Sequence, residues 1–139
     1  MMKLPIVEVA DIIAAAKFDW VDADNIYTTN VTPDEDDSGK TTFIRIQEAS
    51  SELTNYANDF SSTLNAGVEV QIFFSTIWSK KLAKNKNLTI LDAKVAVLSL
   101  LQKSGWHIQR PLTPESVDPD TGQKTATFYI NKIFRMESK

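Results

Sequence analysis

Between Gly67 and Phe74 the chain alternates strictly, with Val68, Val70, Ile72 and Phe74 on one side and Glu69 and Gln71 on the other. A period of two fits a strand with one buried face, and such a face needs a second layer to cover it. The cover follows downstream. Thr89 precedes a long apolar run, Asp92 stands three residues on as a near capping box with Asp in place of Glu, and Gly105 lies just past the end. These signals predict a helix over Ile90–Ser104. Ile90, Leu91, Val95, Val97, Leu98 and Leu101 form one arc of it, with Lys94 inside the arc and Ala93, Ala96 and Leu100 widening it. An ordinary surface helix carries an apolar stripe of a little over ~100°. This stripe is much wider, so either another helix or another subunit is expected against its second side. Lys94 is expected to bury its stem while its ammonium reaches water.

The remaining elements follow from the same reasoning. Leu4–Phe18 reads as a helix, with Pro5 in the first turn, where its missing N–H costs nothing, and Glu8 and Asp11 near the positive end of the dipole. Asn25–Thr32 and Thr41–Glu48 are strand-like and flank Pro33–Lys40, which is turn chemistry; together they predict a long β-hairpin with an acidic tip at Asp34, Glu35, Asp36 and Asp37. Ala49–Ala66 is polar and reads as an irregular loop or a short helix around Leu53 and Tyr56. Trp106–Arg110 is a short strand, Pro111–Gln123 a connection, and Lys124–Met136 a last strand with Ala126, Phe128 and Ile130 inward. Lys132 falls on the inward phase of that strand, so the strand is expected to run past the core or to carry a bulge. The order is α-β-β-β-α-β-β. It describes an α+β single domain over residues 1–139, a mixed, mostly antiparallel sheet with two helices on one face.

Composition limits the chemistry. The 139 residues suit one domain. There is no Cys, which removes disulfides, thiol catalysis and thiolate metal sites, and a single His removes histidine clusters. The net charge of −3 argues against a broad phosphate-binding surface, so nucleic acid is not the expected partner. No stretch approaches the roughly 20 apolar residues of a membrane span, and the early apolar segment is broken by Glu8 and Asp11, unlike a secretion signal. A cytoplasmic protein is expected.

The candidate motifs fail on inspection. Gly39-Lys40-Thr41 resembles the end of a phosphate-binding loop, but Asp34 occupies the position of the required upstream glycine. Asp34, Asp36, Ser38 and Gly39 match the first half of a calcium loop whose twelfth position should be Glu and is Arg45. Asp118–Gly122 is a second acidic turn of the same character. His107 has no partner histidine, and no Ser lies in a nucleophile-elbow sequence. No catalytic residue, metal ligand or cofactor is expected, and the chain is not read as an enzyme. The one basic cluster is Lys80, Lys81, Lys84 and Lys86, with Trp78 adjacent. It suits a docking patch for an acidic protein surface or, in the alternative reading, a small nucleic-acid-binding or regulatory module that stacks bases on Trp78.

The opening Met2–Ala10 (Met-Lys-Leu-Pro-Ile-Val-Glu-Val-Ala), the acidic tip and Thr121–Phe128 (Thr-Gly-Gln-Lys-Thr-Ala-Thr-Phe) together resemble a family of small proteins from siphophages and prophages of Gram-positive bacteria. Genes of that family typically lie between those for the head–tail connector and the major tail protein. The order of elements is similar to that of tail-terminator proteins, which cap the tail tube as a hexameric ring. The resemblance implies a structural virion assembly protein, a tail terminator or tail-completion subunit, found in the host cytoplasm during assembly and then in the virion. It implies self-association into a ring and, as partners, the major tail tube protein and head–tail connector proteins. Asp34, Glu35, Asp36, Asp37, Lys80, Lys81, Lys84 and Lys94 are the candidate contact residues from charge alone.

Overall fold

A computed structural model describes residues 3–28, 39–57, 60–78 and 88–136. The first helix, α1, spans Pro5–Ala15 and ends earlier than expected, because Lys17 takes a left-handed φ of 52° and turns the chain. A single 3-10 turn, Ala23–Asn25, follows, capped by the Asp22 carboxylate on the Asp24 N–H at 3.0 Å. The strands are β1 (Ile26–Tyr27), β2 (Phe43–Glu48), β3 (Glu52–Ala57) and β4 (Phe60–Phe74). Helix α2 spans Ile90–Lys103, then come β5 (His107–Ile108), β6 (Ser116–Val117) and β7 (Lys124–Arg135). The fold is α+β, as expected, with two strands beyond the predicted order, β3 and β6.

The seven strands form one mixed sheet in the order β1-β2-β4-β7-β5, with β3 beside β2 on β4 and β6 beside β5 on β7. Strands β4 and β7 are its spine, in unbroken antiparallel register from Thr63↔Arg135 to Phe74↔Lys124. No bulge interrupts β7. The strand instead runs past the core, and the polar residue on its inward phase, Lys132, meets a partner there. The register puts Ile44, Ile72 and Ala126 in one row and Ile46, Val70 and Phe128 in the next. Val9 and Ile13 of α1 and Ala93, Val97 and Leu101 of α2 close over these rows in one core, so both helices lie on one face. Each fully buried side chain of this size contributes about 1.5–3 kcal/mol through removal of apolar area from water.

Three expectations are corrected. Strand β1 pairs with β2 in parallel, Ile26 with Ile44 and Tyr27 with Arg45, so Asn25–Thr32 and Thr41–Glu48 do not form a hairpin. Parallel neighbours need a crossover rather than a tight turn. The acidic residues Asp34, Glu35, Asp36 and Asp37 fall between the two strands in the sequence and lie outside the described residues. Ala49–Ala66 is neither loop nor helix: β3 and the first half of β4 form a hairpin with Leu53 opposite Leu64 and Ala57 opposite Phe60. Gly67 does not open a strand but sits inside the 15-residue β4. There the chain passing from β2 to β3 crosses it, the Ala49 N–H donating to the Gly67 carbonyl at 3.0 Å. A Cβ on Gly67 would overlap the Ser50 carbonyl oxygen, so only glycine fits the crossing.

Candidate functional site

The chemistry of the turns is spent on the fold. Gly39 is buried, has a φ of 76°, and its carbonyl accepts the Thr76 N–H at 2.9 Å. The Ser75 hydroxyl donates to the Lys40 carbonyl at 2.6 Å, the Ser75 N–H to the Thr42 hydroxyl at 2.9 Å, and the buried Gln123 amide to the Thr41 carbonyl at 2.8 Å. Gly39-Lys40-Thr41 is thus a strap stitched across the end of the sheet, not a phosphate cradle. In the Asp118–Gly122 turn both carboxylate oxygens of Asp118 accept from within the turn, from the Asp120 N–H at 3.0 Å and the Thr121 hydroxyl at 3.2 Å. No cluster of three metal-ligating side chains occurs among the described residues. His107 is exposed on the short strand β5, opposite Asn131.

Of the predicted contact residues, Lys94 alone lies among the described residues. Lys80, Lys81, Lys84 and Lys86, like Asp34, Glu35, Asp36 and Asp37, lie outside the described residues. Lys94 is described: it is buried on α2, and its ammonium reaches the half-exposed Glu115 carboxylate at 3.6 Å. Its stem is buried as expected, but its charge is answered within the chain. Trp78 packs on Phe74 at 5.4 Å and on Trp20 at 6.0 Å between ring centres, and its indole N–H donates to the Leu88 carbonyl at 2.9 Å. That ring is an anchor for the segment entering α2.

The wide arc of α2 divides in two. Ala93, Val97 and Leu101 are buried in the core shared with α1, which supplies part of the expected cover. Leu91 and Val95 remain exposed one turn apart. The capping box at the start of α2 is complete, with the Thr89 hydroxyl accepting the Asp92 N–H at 3.0 Å and the Asp92 carboxylate accepting the Thr89 N–H at 2.9 Å. The Thr89 backbone N–H bonded to it, and then the Thr89 side chain, hold the Asp92 carboxyl below its ordinary value of 3.8.

The outer face of the sheet is a polar ladder. Arg45 donates to Gln71, Asn131 to Asn65 at 3.0 Å, and the Tyr129 hydroxyl to Glu69 at 3.0 Å. The Glu69 bond, and then its charge, push the Tyr129 hydroxyl above its ordinary value of 10.0. Phe43 and Phe73 stack at 4.4 Å beside Arg45. These cross-strand pairs stiffen the sheet, and Arg45 Nε is the buried side-chain nitrogen they leave without a partner.

A projecting arm is the feature that sequence reasoning missed. Strand β3, the first half of β4 and the end of β7 make a three-stranded extension in which no residue of β3 is buried. Leu53, Tyr56, Phe60 and Ile133 are all exposed on it, Phe60 at 78%. Thr54 and Thr63 join hydroxyls across the hairpin, and the Met136 N–H ties β7 to the Ser62 carbonyl at 2.9 Å. The signal was in the sequence: the turn-favouring residue types Asn and Asp at 58 and 59 stand between runs that contain Thr, Tyr, Phe and Leu.

Residues 3–135 match a protein family described as "protein of unknown function (DUF806)". No curated protein matches the chain.

Proposed function

The chain belongs to this family over nearly its whole length, and on that premise we propose that it is a structural, non-enzymatic assembly protein of a phage virion, a tail terminator or tail-completion subunit that closes into a ring at the head-proximal end of the tail tube. The observation that carries the reading is the arm: a stiff extension of the sheet spine that presents large apolar side chains away from the core. They lie on both faces of the arm, Leu53 and Phe60 on the helix side and Tyr56 and Ile133 on the other, and exposed apolar side chains of this size suit contact with other protein surfaces. The resemblance of Met2–Ala10 and Thr121–Phe128 to tail-completion proteins of siphophages supplies the setting. Its partners in that setting are further copies of itself, the major tail tube protein and the head–tail connector, and it passes from the host cytoplasm into the virion. No helix among the described residues is long and apolar enough to cross a membrane.

The test is to mix the purified chain with assembled tubes of the major tail protein and image them by negative stain. Density on one end of the tubes, with further tube growth stopped, is the expected result. Unaltered tubes, together with binding to DNA that weakens steeply with salt, would refute the reading in favour of a nucleic-acid module.

A further inference from the structure

We infer that the two edges of the arm join copies of this chain head to tail, the β3 edge of one subunit taking up the β7 edge of the next. The inference rests on the ring reading and adds its junction. Among the described residues, β3 pairs only with β4, and β7 beyond Asn131 pairs only with β4, through Lys132–Arg135. Among the described residues the arm therefore has two edges without a neighbouring strand, facing opposite ways; on β3 the Thr54 and Asn55 carbonyls already accept the Ser61 and Ser62 hydroxyls, which leaves the two ends of that strand to extend a sheet. Both β3 and β7 run antiparallel to β4, so they are parallel to each other, and a junction repeated identically around a ring is a parallel one. The two edges also differ in charge. Glu52 is exposed on β3 and Arg135 is exposed on β7. Glu52 aligns with Asn65 and Ile133, and Arg135 with Thr63, alternate rows of one sheet face. A negative edge that meets a positive edge favours unlike edges over like ones, which is the heterologous contact a closed ring requires. Exposed Tyr56 on β3 and Ile133 on β7 lie on that same sheet face and supply apolar area to the junction.

The test is light scattering on the full chain, alone and with tail tubes, for wild type, Glu52→Lys, Arg135→Glu and the double variant, each first checked for an unchanged urea midpoint. Each single reversal is expected to raise the concentration needed for assembly about tenfold per junction, since like charges then face each other. The double variant restores assembly, and so does an equimolar mixture of the two single variants, because their edges are complementary. In high salt the differences shrink. Wild-type-like assembly of both single variants, or a double variant no better than the singles, overturns the inference and leaves the ring reading standing. A wild-type chain that remains monomeric both alone and with tubes overturns both.

Discussion

Glu8 of α1 is the point at which the helix is fastened to the sheet spine, and its removal gives a defined loss. Its Oε2 accepts the Trp106 indole N–H at 3.0 Å and pairs with the Lys132 ammonium at 2.9 Å. Trp106 is 2% exposed, so without Glu8 its N–H is left in the core with no acceptor. An orphaned buried donor costs about 1–3 kcal/mol, and loss of a charge-assisted bond adds to that. Lys132 is about one-third exposed and can rehydrate, so its share is discounted to about 0–1 kcal/mol. Glu8→Ala is therefore expected to lose about 2–4 kcal/mol. Glu8→Gln keeps a neutral acceptor for the indole and should lose about 1 kcal/mol. Lys132→Met keeps an apolar stem beside Trp106 and Phe134, and its loss should lie near that of Glu8→Gln. The assay is equilibrium urea unfolding followed by tryptophan fluorescence, with the midpoint and slope fitted for each variant. Equal stabilities for Glu8→Ala and Glu8→Gln, or a Glu8→Ala loss under about 0.5 kcal/mol, would refute the argument that the buried indole needs this acceptor.

Two further outcomes follow from the same structure. Gly67→Ala forces a Cβ against the Ser50 carbonyl at the β2–β3 crossing, and should cost about 1–3 kcal/mol in a thermal or urea melt, whereas Gly122→Ala meets no backbone within 4 Å and should be limited to the penalty of its positive φ. The Asp92 cap stabilises the fold while its carboxylate is charged. Because its folded value lies below 3.8, that contribution is complete above 3.8 and is lost as pH falls through the folded value. The stability gap between wild type and Asp92→Ala should thus be widest at pH 7 and narrow toward pH 2, as read from urea midpoints across that range.

The parts of the fold with a strong local period were legible in the chain. Val68–Phe74 and Ile90–Lys103 announce themselves because one face of each is apolar at the spacing its backbone dictates, and Thr89 and Asp92 mark the helix start with matching side chains. Pairing partners were not legible, since alternation around Ile44 identifies a strand but not its neighbour. That is why β1 was assigned to a hairpin although it lies parallel to β2. Gly67 misled because its isolation suggests a boundary, whereas its use is a close backbone approach visible only once Ser50 is in place. The arm was hidden for a related reason: Leu53, Tyr56 and Phe60 are not buried within the chain, so no buried face wrote a period into Glu52–Ala57. Lys132 is the polar residue on the inward phase of the last strand, and what it signals is Glu8, 124 positions away.

The central claim is that this chain works by joining copies of itself at the end of a tail tube. The most direct measurement is native mass spectrometry of the chain alone and of the cap released from tail tubes on which it has been assembled. A single closed species whose mass is a fixed integer multiple of the 15.6 kDa subunit is the expected result. A 15.6 kDa monomer in both samples, with nothing larger at any protein concentration, would contradict it.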